Sequence, residues 1–159
     1  MAKHTVLDRT DRTILTVLAK NARISNKDLA TLVGLAPSSC LERVRALRRE
    51  GVLRGEHADI DPRSLGIGLQ AMIAIRLTRH SRRLVEQFQA HVAQLPQVLA
   101  VYHVAGENDF LVHVAASDAE DLRNFALDAF TTQPDVAHIE TWLIFAHQRN
   151  PVLPDYVDD

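Results

Sequence analysis

The sequence predicts an α+β protein in two parts, a helical first third and a remainder of order βαββαβ. Three observations carry this. Apolar residues recur at helical spacing in three successive runs within the first fifty positions. The period then changes to two at LQAMIAIRL, where Leu69, Ala71, Ile73, Ile75 and Leu77 are all apolar. The charge splits at the same place: residues 1–60 carry 11 Lys+Arg against 7 Asp+Glu, and residues 61–159 carry 7 against 13. A basic first part joined to an acidic second part suggests that only the first meets a polyanion. The acidic body would hold itself off the phosphates.

At 159 residues, with 47% hydrophobic and 24% charged residues, the chain has the make-up of an ordinary globular protein. No run approaches 18 uninterrupted apolar residues, so no membrane span is expected. The opening MAKHTVLDRTDR lacks the apolar centre of a signal peptide. Its one cysteine, Cys40, allows no intrachain disulfide, which fits a cytoplasmic protein.

The first helix is expected from Leu7 to Ala22, with Asp8 as N-cap, Asp11 in the first turn, and Leu7, Ile14, Leu15 and Leu18 as its stripe. The second begins at Ser25. Ser25 and Asp28 have capping-box spacing, and Ile24 and Leu29 that of a hydrophobic staple. Gly34 supplies the left-handed stop and Pro37 suits the first turn of the third helix. There Leu41, Val44 and Leu47 are expected to face the core, leaving Ser38, Ser39, Glu42, Arg45 and Arg49 on the other side. Two short helices joined by a tight turn, the second with a basic exposed face, form the pattern of a DNA-binding helix-turn-helix. A structural helical hairpin with a solvated Arg face is the competing reading.

After Gly51, VLRGEHADI reads as a strand or small hairpin, and residues 61–68 as a linker rich in Pro and Gly. We therefore divide the chain into 1–60, 61–68, 69–148 and a tail, 149–159, expected to be extended. In the second part a helix is expected over Leu84–Leu95, and strands over Val98–Val104 and Asp109–Ala116 joined as a hairpin by AGEN. A helix follows, capped by Ser117 and Glu120, with Leu122, Phe125, Ala126 and Ala129 on one face; Val136–His147 is a final strand. The order is that of the ferredoxin-like split βαβ sandwich, following a three-helix, winged-type helix-turn-helix. Both parities of DFLVHV and HIETWLIF contain apolar residues, so the open sheet face should take a partner, and an identical subunit is the simplest one.

The chain from about residue 5 to 148 resembles the Lrp/AsnC (feast/famine) family of transcription regulators. The residues that carry the resemblance are LDRTDRTILTVLAKNARISNKDLATLVGLAPSSCLERVRALRREGVLRGEHADIDPRSLG and VLAVYHVAGENDFLVHV. The resemblance implies a winged-type helix-turn-helix, a hinge strand, and a ferredoxin-like domain for oligomerisation and ligand sensing. It also implies dimers that assemble into tetramers or octamers and bind amino acids between dimers. Two departures stand out: Ala36 replaces the Ser that commonly caps the recognition helix, and Glu42 lies where a basic residue is common.

The expected DNA-facing set is Ser25, Pro37, Ser38, Ser39, Glu42, Arg43, Arg45, Arg48, Arg49 and Arg54. The arginines supply charge for phosphates; Ser38, Ser39, Glu42 and Arg45 can reach base edges, Glu42 by accepting from a cytosine amino group. Arg43 and Arg48 have the alternative of lying along the helix or pairing with Glu50. A two-fold dimer would read half-sites about one helical turn, ~34 Å, apart or a multiple of it.

The expected effector loop is Ala105, Gly106, Glu107, Asn108 and Asp109. A Gly turn offers backbone N–H groups to a carboxylate, and Asp109 can accept from an ammonium. By resemblance, Thr131, Thr132 and Gln133 of a neighbouring dimer form the second wall. The alternative is that GEND is merely a hairpin turn.

Eight His residues, with His103 and His113 on one hairpin, show no metal-ligand spacing, and no catalytic constellation can be read. No cofactor is expected beyond an amino-acid effector; Cys40 reads as a small buried residue. The leading function is a ligand-responsive, DNA-binding transcriptional regulator, located in the cytoplasm on the nucleoid. Its partners are double-stranded DNA, further copies of itself and a small molecule, with no membrane. The alternatives are an architectural protein that organises the nucleoid, or a sirohaem-decarboxylase-like enzyme sharing the two-part architecture. The enzyme is disfavoured because only Arg123 and Arg149 follow Arg83.

Overall fold

The computed structural model describes residues 6–156, which separate into two compact units. The first holds the residues up to Ala58 together with those from Gln148 onward; the second is Asp59–His147.

In the first unit, helix α1 (Arg9–Lys20) is opened by a complete capping box. The Asp11 N–H donates to the Asp8 carboxylate at 2.8 Å and the Asp8 N–H to that of Asp11 at 3.4 Å. Helix α2 (Asn26–Val33) is capped by Ser25, whose Oγ accepts from the Asp28 N–H at 3.1 Å. Here the reciprocal half of the expected box does not form, because the Asp28 carboxylate accepts from the Ser25 hydroxyl instead, at 2.6 Å. Gly34, at φ 70, closes α2 in a Schellman arrangement: Leu35 N–H donates to Ala30 O and Gly34 N–H to Thr31 O.

Helix α3 (Pro37–Arg49) starts on Pro37, and Ala36 provides no side-chain cap. Instead Asn26 Nδ2 donates to Pro37 O at 2.8 Å, tying the starts of α2 and α3 together. Cys40, Val44 and Leu47 enter the core beside Ile14, Leu18, Leu29 and Ala30, with the staple partner Ile24 packed against them. Leu41 is only half-buried, so the core stripe of α3 begins one residue earlier than expected. Residues 54–60 form no strand; none of their backbone groups pairs with a neighbouring strand, and an extended segment without one has nothing to complete its ladder. In the tail, Arg12 Nε lies 3.6 Å from Asp155 Oδ2.

The second unit opens with a 3₁₀ turn, Pro62–Leu65, capped by Asp61 and closed by Gly66 at φ 78. Strand β1 (Leu69–Leu77), helix α4 (Arg82–Val92), strands β2 (Val98–His103) and β3 (Phe110–Ala116), helix α5 (Ala119–Ala126) and strand β4 (Val136–Leu143) follow. The four strands form one sheet in the order β2-β3-β1-β4 with every neighbour antiparallel, the ferredoxin-like arrangement. Ala71, Ile73, Ile75 and Leu77 with Phe110, Val112 and Val114 face Phe88 and Val92 of α4 and Leu122, Phe125 and Ala126 of α5.

Helix α1 is shorter than expected at both ends, α4 starts two residues earlier and ends three earlier, β2 ends and β3 begins one residue inside the expected bounds, and three further differences lie in the C-terminal part. The cap of α5 is Asp118, not Ser117: its carboxylate accepts from Asp121 N–H at 2.9 Å, while Asp121 accepts from Ser117 N–H. The charged Asp displaces the neutral Ser at the positive helix end. After α5 the backbone widens into a π-helical turn, Leu127–Thr131, whose longer period carries Phe130 into the core, 5.5 Å edge-on from Phe125. Strand β4 ends at Leu143; one more bond, Ile144 N–H to Gln70 O, follows before the chain leaves the sheet.

Candidate nucleic-acid interface and effector loop

Opposite the core stripe of α3, Ser38, Glu42, Arg45 and Arg49 are exposed at the i, i+4, i+7, i+11 spacing of one helix face, with Ser39 exposed beside Ser38. Pro37 and Ser25 are exposed next to them. The arginines separate by their partners. Arg43 Nη1 donates to Asp8 Oδ2 at 2.6 Å and Asp11 Oδ1 at 2.8 Å. Arg48 pairs with Glu56, and Arg49 lies 3.9 Å from Glu50. Among the described residues, no carboxylate lies within ion-pair distance of Arg45 or Arg54, so their donors remain available for phosphate or base. The partners of Arg43 and Arg48 escaped sequence reading because Asp8, Asp11 and Glu56 lie 8 to 35 residues away along the chain.

These contacts set the local electrostatics. The Asp8 carboxyl is held below its usual range, chiefly by the Asp11 N–H and then by Arg43, while its two carboxylate partners push the Arg43 guanidinium up. Burial pushes the Cys40 thiol up, which leaves it a poor nucleophile inside the core.

The loop Ala105–Asp109 joins β2 to β3, with Gly106 at φ 142. At the same sheet end β1 finishes and β4 begins, since Ile75 pairs with Phe110 and Leu77 with Val136. Asp109 is a staple there: its Oδ2 accepts from Leu77 N–H at 2.8 Å, its Oδ1 sits 2.9 Å from His80 Nδ1, and its N–H donates to Ile75 O. Both carboxylate oxygens are therefore already engaged. Glu107 is exposed, 3.7 Å from Arg76. Thr131 and Thr132 donate their hydroxyls back to Ala126 O and Asp128 O, and Gln133 N–H donates to Phe130 O, so this wall is the end of the π turn just before β4.

The open sheet face carries Met72, Ala74, Leu111, His113, Tyr102 and Trp142. Tyr102 is 50% and Trp142 45% exposed. His103 and His113 point to opposite faces: His103 stacks on Phe110 at 5.0 Å, whereas His113 Nε2 is 2.8 Å from Gln70 Oε1. Burial, then the nearby His147, pushes the His113 pKa down. A cleft of about 220 Å³, lined by Asp61, Arg63, Gln70, Phe145 and His147 among others, opens at the far end of the sheet from the Ala105–Asp109 loop. Among the described residues no group of three or more His, Cys, Asp or Glu is placed to hold a metal.

Fold and site together define a two-part regulator: a helix-turn-helix with exposed arginines, and a sensing domain with an open apolar sheet. Comparison with known proteins agrees. Residues 7–54 match the family model described as winged helix-turn-helix DNA-binding, and residues 70–150 that of the Lrp/AsnC ligand binding domain. The chain is 50% identical over 143 residues to the HTH-type transcriptional regulator AldR of Mycolicibacterium smegmatis, covering 90% of this chain and 84% of that protein. It is 36% identical to the leucine-responsive regulatory protein of Escherichia coli, covering 87% and 84%. Among solved structures, a Neisseria meningitidis transcriptional regulator crystallised with L-Met superposes with a TM-score of 0.83 at 32% identity, covering 91% of this chain and 94% of that one. MtbAldR superposes at 0.74 and 39% identity, covering 93% and all of its chain. The chain belongs to the Lrp/AsnC family of transcriptional regulators. It is a DNA-binding regulator with a ligand-binding domain, in a family of regulators rather than enzymes.

Proposed function

We propose that this regulator binds operator DNA through α3 and has that binding, or its assembly, adjusted by an amino acid. The observation that carries the DNA half is the exposed Ser38–Ser39–Glu42–Arg45 face, with no carboxylate among the described residues holding Arg45. Ser38, Ser39, Glu42 and Arg45 then read base edges, while Arg49 and Arg54, and Arg48 once it leaves Glu56, meet phosphates around them. Ser25 and Pro37 act by fixing the starts of α2 and α3.

For the sensing half, residues 105–109 offer the exposed Gly106 turn, and residues 131–133 lie just before the strand that starts at the same sheet end. The L-Met complex of the Neisseria relative supports an amino acid as the ligand class. In this reading the Gly106 backbone meets the carboxylate. Because Asp109 is already stapled, the ammonium is met by acceptors of a neighbouring dimer or by Asp109 on release from His80. Residues 1–60 bind DNA, 61–68 connect, 69–148 sense and assemble, and 149–159 form the tail. The open sheet face is covered by a second copy, and dimers join into tetramers or octamers. The protein acts in the cytoplasm, on the nucleoid.

Titration calorimetry with each of the twenty amino acids tests the sensing half. One or a few should bind at ~1 μM to 1 mM, and Gly106→Val should weaken that binding. Heats indistinguishable from dilution for all twenty would overturn it.

A further inference from the structure

We propose that Arg43 is not a DNA ligand but the residue that seats the recognition helix, by locking the side of α3 into the capping box of α1. Each carboxylate of that box uses one oxygen for the cap and the other for the guanidinium. Asp8 accepts from the Asp11 N–H with Oδ1 and from Arg43 with Oδ2; Asp11 accepts from the Asp8 N–H with Oδ2 and from Arg43 with Oδ1. One side chain thus joins a helix start to a helix middle 32 and 35 residues away.

The Asp11 side chain is 16% exposed, that of Arg43 36% and that of Asp8 51%, so the bond to Asp11 is the more sheltered and the less screened of the two. Arg43 lies on the flank of α3, one residue before the buried Val44 and one after the exposed Glu42. A tie at that flank fixes the rotation of α3 about its own axis, and with it the direction of Glu42 and Arg45. Sequence readout tolerates errors of only about 10–20° in such side chains, whereas attraction to phosphates in general does not depend on them. The two carboxylates that hold Nη1 also oppose the approach of a phosphate to this guanidinium.

Loss of Asp11 and loss of Arg43 should therefore act in the same direction, which a double-mutant cycle on DNA binding reads directly. The wild-type protein, Asp11→Asn, Arg43→Gln and the double variant are titrated over a salt series. The probes are a duplex selected by the wild-type protein from a random library and a scrambled duplex, with folding checked by thermal melts. The seating role predicts that the selected-to-scrambled affinity ratio falls about tenfold in Arg43→Gln and by a smaller factor in Asp11→Asn, where Asp8 still holds Arg43, with the double no worse than Arg43→Gln and an unchanged salt slope. Asp11→Asn should lower that ratio although it removes a negative charge. A phosphate role predicts the reverse: Asp11→Asn frees Arg43 and tightens both duplexes, and Arg43→Gln weakens both equally and lowers the salt slope by about 1. Either of those results overturns the proposal. Should Arg43→Gln fail to fold, Asp11→Asn decides by itself: seating predicts a reduced ratio, and tighter binding of both duplexes with the ratio unchanged overturns it.

Discussion

Arg45 and Arg43 are two residues apart on one helix, yet their surroundings differ. Arg45 has no carboxylate within ion-pair distance among the described residues, whereas Arg43 has two. Arg45→Ala is expected to cost about 1–3 kcal/mol of specific binding at a base contact, and to relax sequence preference there. Competition titrations against single-base variants of the selected duplex check this. The carboxylates carry a pH signature as well. Asp8 and Asp118 both sit below their usual range because each accepts the backbone N–H three residues on, at a helix start. A carboxyl with a folded pKa below its unfolded one contributes stability above about pH 4, and that contribution is lost as pH falls through the folded value. Thermal melts from pH 6 to pH 2.5 should thus show a loss concentrated below about pH 4, smaller in Asp8→Asn than in the wild type.

The elements show what a sequence displays and what it hides. Helix caps and alternation are local, so Asp8, Ser25, Gly34, Pro37 and the odd positions of β1 are legible from their neighbours alone. Where two local solutions compete, three-dimensional packing decides. Ser117/Glu120 and Asp118/Asp121 have the same spacing, and the charged pair forms the cap. Cys40 rather than Leu41 is buried because the phase of α3 is fixed against α1 and α2. The π turn after α5 has no sequence signature; its backbone bond from Thr132 N–H to Leu127 O, five residues back, shows it in the structure. The expected strand over 52–60 has nothing to pair with. Of the candidate site, the exposed face of α3 and the Gly106 loop are legible as residue types at known spacing. The Arg43, Arg48 and Asp109 partners are not, because they are made across the fold. One element can be improved: α3 starts on an Ala36 with extended backbone, φ -65 and ψ 144, and no side-chain cap. Ala36→Ser should stabilise the first unit by about 1 kcal/mol, read as a raised melting temperature.

At the scale of the molecule, the two units divide opposite charges and opposite tasks. The basic helical unit meets DNA, and the acidic sheet unit presents Tyr102 and Trp142 half-exposed on its open face. If that face joins two copies, Trp142→Asp should shift the protein toward monomer in sedimentation velocity. Because two recognition helices per dimer share the binding energy, it should also weaken specific DNA binding far more than the loss of one surface residue would. Whether an amino acid changes how this protein holds DNA is read by fluorescence anisotropy with a duplex from upstream of its own gene and an unrelated duplex, at fixed salt, with and without each amino acid. A ligand-gated regulator prefers the first duplex, loses that preference in Arg45→Ala, and has it shifted by one or a few amino acids. Equal binding to both duplexes, unmoved by any amino acid, would rule that out and point to an architectural role instead.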